Sequence, residues 1–164
     1  MQDQITMSDV DAAWLAALID GEGSISSSRL TKSQGVRFDV SMFIGNTCVP
    51  LLDKAARLTG LRVYFCKRPG NGRPLYGVRA IGRSMVPILE AVQPWLIAKG
   101  DQSALALRLQ SIQRRGNAFD PELLPYRERL WAAISDLNHG READVQALLD
   151  NPVEPDSTQP RRMI

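Results

Sequence analysis

Two acids stand two residues apart in Asp20-Gly21-Glu22-Gly23, directly behind the apolar run Leu15-Ala16-Ala17-Leu18-Ile19. In isolation each is a commonplace helix-end carboxylate: Glu22 a loop acid, Asp20 a residue that orders the helix end and its turn. The other reactive side chains are few. A single histidine, His139, excludes constellations that need two, and makes a zinc cluster improbable. Two cysteines, Cys48 and Cys66, build no disulfide framework and no C-x-x-C pair. The remaining chemistry is positive charge. Residues 1–23 carry five acids and no base, whereas residues 24–99 carry twelve bases against Asp39, Asp53 and Glu90. Residues 100–164 are slightly acidic. A basic middle between acidic ends points to a polyanion-binding face or to an Arg-rich solvated surface.

The elements that must position these groups are legible from patterning. Ser8 is an N-cap with Asp11 three residues on, and the helix behind it, apolar almost all round, should be buried on most sides. Two strands follow, about 24–32 and 36–44. The second alternates Val36, Phe38, Val40 and Met42 with Arg37, Asp39 and Ser41, and Ser33-Gln34-Gly35 makes the hairpin loop. Asn46 or Thr47 caps a second helix with Pro50 in its first turn, and Gly60 ends it. A second hairpin spans about 61–67 and 75–82 around Pro69-Gly70-Asn71-Gly72. Ser84 caps a third helix, interrupted by Pro94. Further helices run from Asp101 to about Arg115, from Asp120-Pro121 to about Asn138, and over about 141–149.

This pattern predicts one α+β domain, residues 1–150, in the order αββα then ββα. Four antiparallel strands are covered by helices on one face. Residues 151–164, with three prolines, are expected to be a disordered tail. The 164 residues, 44% hydrophobic, suffice for one core. The longest apolar stretch, Ala12 to Ile19, falls far short of the ~18–20 residues of a membrane span. No signal-peptide pattern follows Met1–Gln4. These features predict a cytoplasmic protein with no membrane partner and no organic cofactor. A sheet that leaves a wide basic face bare needs a reason, and duplex DNA is a natural one, because a two-stranded ribbon fits the major groove.

Residues Leu15 to Gly23, followed by Ser24-Ile25, resemble the signature of the LAGLIDADG homing endonucleases. Downstream, Ile44-Gly45-Asn46-Thr47 with Leu51-Leu52, Gln93-Pro94-Trp95-Leu96 with Lys99 and Gln102, and Ile134 to Asn138 are similar to the same family. The resemblance covers roughly residues 8–140. The motif occurs once, and single-motif members are homodimers. The resemblance therefore implies the αββαββα homing endonuclease fold, with a four-stranded antiparallel saddle sheet. It implies a homodimeric, Mg²⁺-dependent, site-specific endonuclease cutting both strands of a long pseudo-palindromic target, with an origin in a mobile intron. The alternative on the same scaffold is a non-cleaving intron maturase, or a DNA- or RNA-binding regulator.

Carried residue by residue, the resemblance makes Glu22 the metal-binding catalytic acid, where relatives often have Asp. The Gly21 carbonyl becomes a further metal ligand and Lys99 the basic residue near the cleavage centre. Asn46 stands where relatives often have Gln and is either a catalytic water-holder or an N-cap. Ala17 departs from the usual glycine. Two copies of the motif helix would meet across a two-fold axis through Leu15, Ala16, Leu18 and Ile19. Strand parity selects the DNA-facing residues: Ser24, Ser26, Ser28 and Lys32 on the first strand, and Arg37, Asp39 and Ser41 on the second. On the second hairpin it selects Arg62, Tyr64, Arg68, Arg73 and Arg79. Arg29 then points the wrong way, which a bulge or twist would explain.

Overall fold

The structure, a computed structural model, describes residues 5, 7–67, 70, 72–115 and 119–150, with backbone alone at 114 and 115. Helix α1 (Asp9–Glu22) starts where Ser8 Oγ accepts from the Asp11 amide at 3.2 Å and donates to Asp11 Oδ2 at 2.8 Å. The first of these bonds satisfies one of the amides that the first turn leaves open. At its other end the Gly23 amide donates to the Ile19 carbonyl, and the chain turns directly into β1 (Gly23–Lys32). Then come β2 (Gly35–Asn46), α2 (Val49–Thr59), β3 (Tyr64–Lys67) and β4 (Leu75–Ile81). A 3-10 turn, Gly82–Met85, leads into α3 (Val86–Val92). A second 3-10 turn, Gln93–Trp95, precedes α4 (Gly100–Arg115), α5 (Leu124–Asn138) and α6 (Val145–Asp150). The strands form one antiparallel sheet in the order β1-β2-β4-β3. This is the expected αββαββα arrangement with additional C-terminal helices.

All helices that touch the sheet lie on the face presented by Ile25, Phe38, Val40, Met42, Ile44, Val78 and Ala80, each 0–1% exposed. Leu15 and Ile19 of α1, Leu52 of α2, Leu89 of α3, Leu105 of α4 and Leu130 of α5 complete this core. Each of these side chains larger than alanine contributes about 1.5–3 kcal/mol by leaving water, so the alternation along β2 holds its register firmly. Helix α5 closes the β1 side. Phe38 and Trp131 rings pack at 6.2 Å with a 42° tilt, and Asn138 Nδ2 donates to the Ile25 carbonyl at 2.8 Å.

Several boundaries differ from the sequence expectation. The β1–β2 ladder is regular from Gly23↔Ile44 to Lys32↔Gly35, with no bulge at Arg29. Arg29 turns to the helix face and pairs with Glu128 of α5 at 3.1 Å. Strand β3 is only four residues long, because Leu61 to Val63 make no strand pairing, and it carries a bulge between Phe65 and Lys67. The N-cap of α2 is Cys48, which has no side-chain cap bond. Asn46 Oδ1 instead accepts from the Cys48 amide at 2.9 Å and so shapes the approach to the helix. Helix α5 begins at Leu124, not at Pro121. Asp120 Oδ1 accepts from the Glu122 amide at 3.0 Å and uses its capping capacity on a separate turn. The last helix starts at Val145, four residues later than expected. The tail 151–164 lies outside the described residues. No helix among them is long and apolar enough to cross a membrane.

Candidate nucleic-acid interface and active site

The face of the sheet turned away from the helices follows from the register. Residues opposite one another in antiparallel strands share a face. Met42 is core, so Ile25 and Ala80 opposite it are core, and the odd positions of β2 face outward with Ser24, Ser26, Ser28, Leu30 and Lys32 of β1. Arg37, Asp39, Ser41, Phe43 and Gly45 lie along the open face of β2, with Leu75, Gly77, Arg79 and Ile81 beside them on β4. Ser26 and Ser41 hydroxyls sit 3.2 Å apart across the two strands. Arg37 and Asp39 engage each other, Nη2 to Oδ1 at 2.6 Å. Tyr64 of β3 pairs with Gly77 and so joins the open face. Burial pushes the Tyr64 phenol above its ordinary value; Cys66 adds to this and Arg79 opposes it. The phenol thus stays protonated at neutral pH and keeps a donor.

Strand parity does not extend to every residue expected to follow it. Arg62 precedes β3 and lines a shallow depression with Asp53, Ala56 and Arg57 of α2, so it belongs to the helix side. Arg73 is exposed in irregular chain before β4, outside the ladder that would fix its direction. Arg68 lies outside the described residues.

At the end of the sheet where α1 meets β1, the two acids of the motif have different surroundings. Asp20 is engaged on both oxygens: Oδ2 accepts from the Ile97 amide at 2.7 Å and Oδ1 from the Lys99 amide at 2.9 Å. The Lys99 ammonium donates in turn to the Asp20 main-chain carbonyl. Asp20 therefore orders not only its own turn but the Ile97–Lys99 segment ahead of α4, and ties Lys99 to the last turn of α1. Glu22, the final residue of that helix, is exposed and has no hydrogen bond or ion pair among the described residues. The Gly21 Cα is open, since a Cβ there would meet nothing within 4 Å. Gly23 is the reverse. A Cβ there would sit 2.8 Å from the Ile19 carbonyl oxygen and 2.9 Å from its Cα, so only glycine lets the helix run straight into the strand. The register places Asn46 at the same end of the sheet, two residues beyond the Ile44 that pairs with Gly23. Its side chain accepts from the Cys48 amide in the turn ahead of α2, so it is not the helix cap.

The motif-helix residues expected at a two-fold seam are placed elsewhere. Leu15, Ala16 and Ile19 are 0% exposed and Leu18 is 9% exposed, all within the chain's own core. The surface α1 leaves open is another stripe: Val10, which is 78% exposed, then Ala17 and Gly21, with half-buried Ala13 between. The reason is helical period. One face of α1 packs on the sheet, and residues spaced three and four apart on the other face remain outside. Near the end of α1 tied to Ile97, Trp95 is 42% and Ile97 94% exposed. Sequence reasoning also missed Phe43, although the parity that selects Arg37, Asp39 and Ser41 reaches it one step later.

One antiparallel sheet of four strands in the order β1-β2-β4-β3, covered by helices on one face and open on the other, is the arrangement of the homing endonuclease fold. Solved structures bear this out. The chain is similar to the homing endonuclease I-CvuI in complex with its target in the presence of Ca, at 20% identity and a TM-score of 0.67, over 87% of this chain and 92% of that one. It is similar to the archaeal intron-encoded homing endonuclease I-Vdi141I complexed with DNA, at 18% identity and a TM-score of 0.68, over 87% and 94% of the two chains. A point mutant of I-SmaMI matches 99% of this chain with 53% of its own length, at 17% identity and a TM-score of 0.64. At these identities the likeness establishes the fold. No family model matches the sequence, and no curated protein does.

Proposed function

We propose that the chain is a site-specific DNA endonuclease that acts as a homodimer with a divalent metal, Mg²⁺ being the natural choice for hard oxygen ligands. One observation carries the reading: Glu22 stands exposed and unpaired at the foot of the open face, within one helical turn of the main chain that binds Lys99. A carboxylate aimed at bound phosphates is repulsive unless a cation lies between them. Its donor set, one carboxylate with the Gly21 carbonyl beside it, suits such an ion. No cluster of three or more His, Cys, Asp or Glu able to hold a metal occurs among the described residues. The chain thus supplies part of a coordination sphere, and phosphate oxygens, water and a second copy supply the rest. When bound, the metal lowers the pKa of water and neutralises the leaving oxygen.

The chain's own residues do the remaining work. Lys99, held by Asp20, brings a positive charge to the place where phosphate charge develops. The open face supplies Ser24, Ser26, Ser28, Lys32, Arg37, Asp39, Ser41, Tyr64 and Arg79 for contacts in the groove. The ten residues of β1 span about 33 Å at the usual rise per strand residue. That matches about ten base pairs of duplex, so two copies cover roughly twenty. The open stripe of Val10, Ala13, Ala17 and Gly21 offers small residues that allow a second α1 to approach closely.

The test uses a duplex selected from a randomised library by the wild-type protein. Cleavage is measured with Mg²⁺ and binding by gel shift with Ca²⁺, for wild type and Glu22→Gln. The expected outcome is loss of cleavage with binding kept or tightened, because a charge facing phosphates has gone. Cleavage by the Gln variant at the wild-type rate would refute the metal role. A wild type that binds one site tightly without cutting would mark a binding protein on this fold.

A further inference from the structure

The centre of the open face is not polar. Phe43 belongs to the outward parity of β2, and its ring lies across two glycines rather than standing up from the sheet. A Cβ on Gly45 would meet Phe43 Cε1 at 2.8 Å, and one on Gly77 would meet Phe43 Cζ at 2.9 Å. The two glycines face each other across β2 and β4, so the sheet has a shallow shelf that the ring fills. The shelf's neighbours are apolar or soft. Leu75 Cδ1 lies 3.7 Å from the Gly45 position and Cys66 Sγ 3.1 Å from that of Gly77. Around them stand Ser24 and Arg79, directly opposite Phe43 on the flanking strands.

We propose that Phe43, seated on Gly45 and Gly77, is a specificity-determining residue that reads the 5-methyl group of a pyrimidine in the major groove. This rests on the DNA-cleaving reading above. A phenyl ring neither donates nor accepts a hydrogen bond, and the one apolar group that base edges present in that groove is the thymine methyl. A cytosine amine, or guanine O6 and N7, placed under the ring would lose water without gaining a partner. Lying flat keeps the ring from holding the DNA off the face, and Arg79 beside it supplies a positive charge for the backbone. The register fixes where the contact falls. Phe43 pairs with Ser24, the second residue after Glu22, whereas the hairpin tip lies at the far end of β1. The methyl it reads therefore sits in the inner part of each half-site, close to the scissile phosphate.

The experiment replaces each thymine of the selected duplex with uracil, in turn, and measures binding in Ca²⁺ by wild type and by Phe43→Ala. Wild type should lose about fourfold at one inner position per half-site, the effect of losing one buried methyl-sized group. If that position carries cytosine, 5-methylcytosine should restore the loss. In Phe43→Ala the sensitivity to that methyl should vanish. A scan in which wild type binds tightly yet no inner methyl matters overturns the inference and leaves the endonuclease reading intact. A methyl effect that survives in Phe43→Ala overturns the assignment to this ring. Absence of any sequence-specific binding by wild type overturns both.

Discussion

Asp20 and Glu22 stand two residues apart, and the structure gives them different surroundings that a pair of conservative substitutions distinguishes. The Asp20 carboxylate accepts backbone amides on both oxygens, from Ile97 at 2.7 Å and Lys99 at 2.9 Å. An asparagine in its place has one oxygen and one amide group, so in either orientation one of the two amides faces a donor instead of an acceptor. A hydrogen bond to a charged group contributes about 1.5–3 kcal/mol. Asp20 is only half-buried, which places Asp20→Asn near the lower end, at about 1.5–2 kcal/mol. For a chain of this length that is a fall in Tm of about 3–8 °C. The Lys99 backbone loses one anchor in the same step, so cleavage should fall more than binding does. Glu22→Gln is the control: with no partner to lose, it should stay within about 0.5 kcal/mol of wild type. Urea unfolding at one fixed protein concentration checks this, since any self-association adds to apparent stability. Equal stability of Asp20→Asn and wild type would refute the argument, as would an equal loss in Glu22→Gln.

Ala17→Glu places a charge on the open stripe of α1 without touching the core. It should leave the folded chain within about 0.5 kcal/mol of wild type while shifting sedimentation from dimer to monomer; a dimer that persists would place the seam elsewhere. Gly23→Ala forces a Cβ against the Ile19 backbone at 2.8 and 2.9 Å. Because backbone must give way, the expected cost is about 1–3 kcal/mol, read by thermal unfolding. Gly21→Ala, where the added Cβ meets nothing within 4 Å, should show no such loss in the monomeric Ala17→Glu background.

The order of elements is legible because two periods are written plainly in this chain. Val36, Phe38, Val40 and Met42 alternate with polar residues at period two, and they alone identify the buried face of the sheet. Ends are harder. Asp followed by Pro is a good helix start, so Asp120-Pro121 predicts a helix at once, yet the Asp120 side chain bonds the Glu122 amide and the helix waits until Leu124. Buried Arg127 shows what competes there. Burial lowers its guanidinium from its ordinary value, opposed by Asp120, and its Nη1 donates to the Asp120 carbonyl at 3.5 Å. That contact joins α5 to the turn ahead of it, and no sequence pattern announces it.

The motif helix shows why an element can be found in sequence while the direction of its faces cannot. Residues 10–19 are apolar nearly throughout, so no polar face marks which side packs within the chain and which is left open. Period alone gives two choices, and only the position of the sheet decides between Leu15, Ala16, Leu18 and Ile19 inside and Val10, Ala17 and Gly21 outside. The two acids pose the same problem on a smaller scale. Two residues apart on a helix, Asp20 and Glu22 point roughly 200° from each other. When α1 lies on the sheet with Ile19 inward, one acid meets the Ile97–Lys99 backbone and the other meets solvent. Which acid is engaged by backbone amides and which faces solvent is thus a consequence of how α1 is docked, and nothing in the local sequence of the motif decides it.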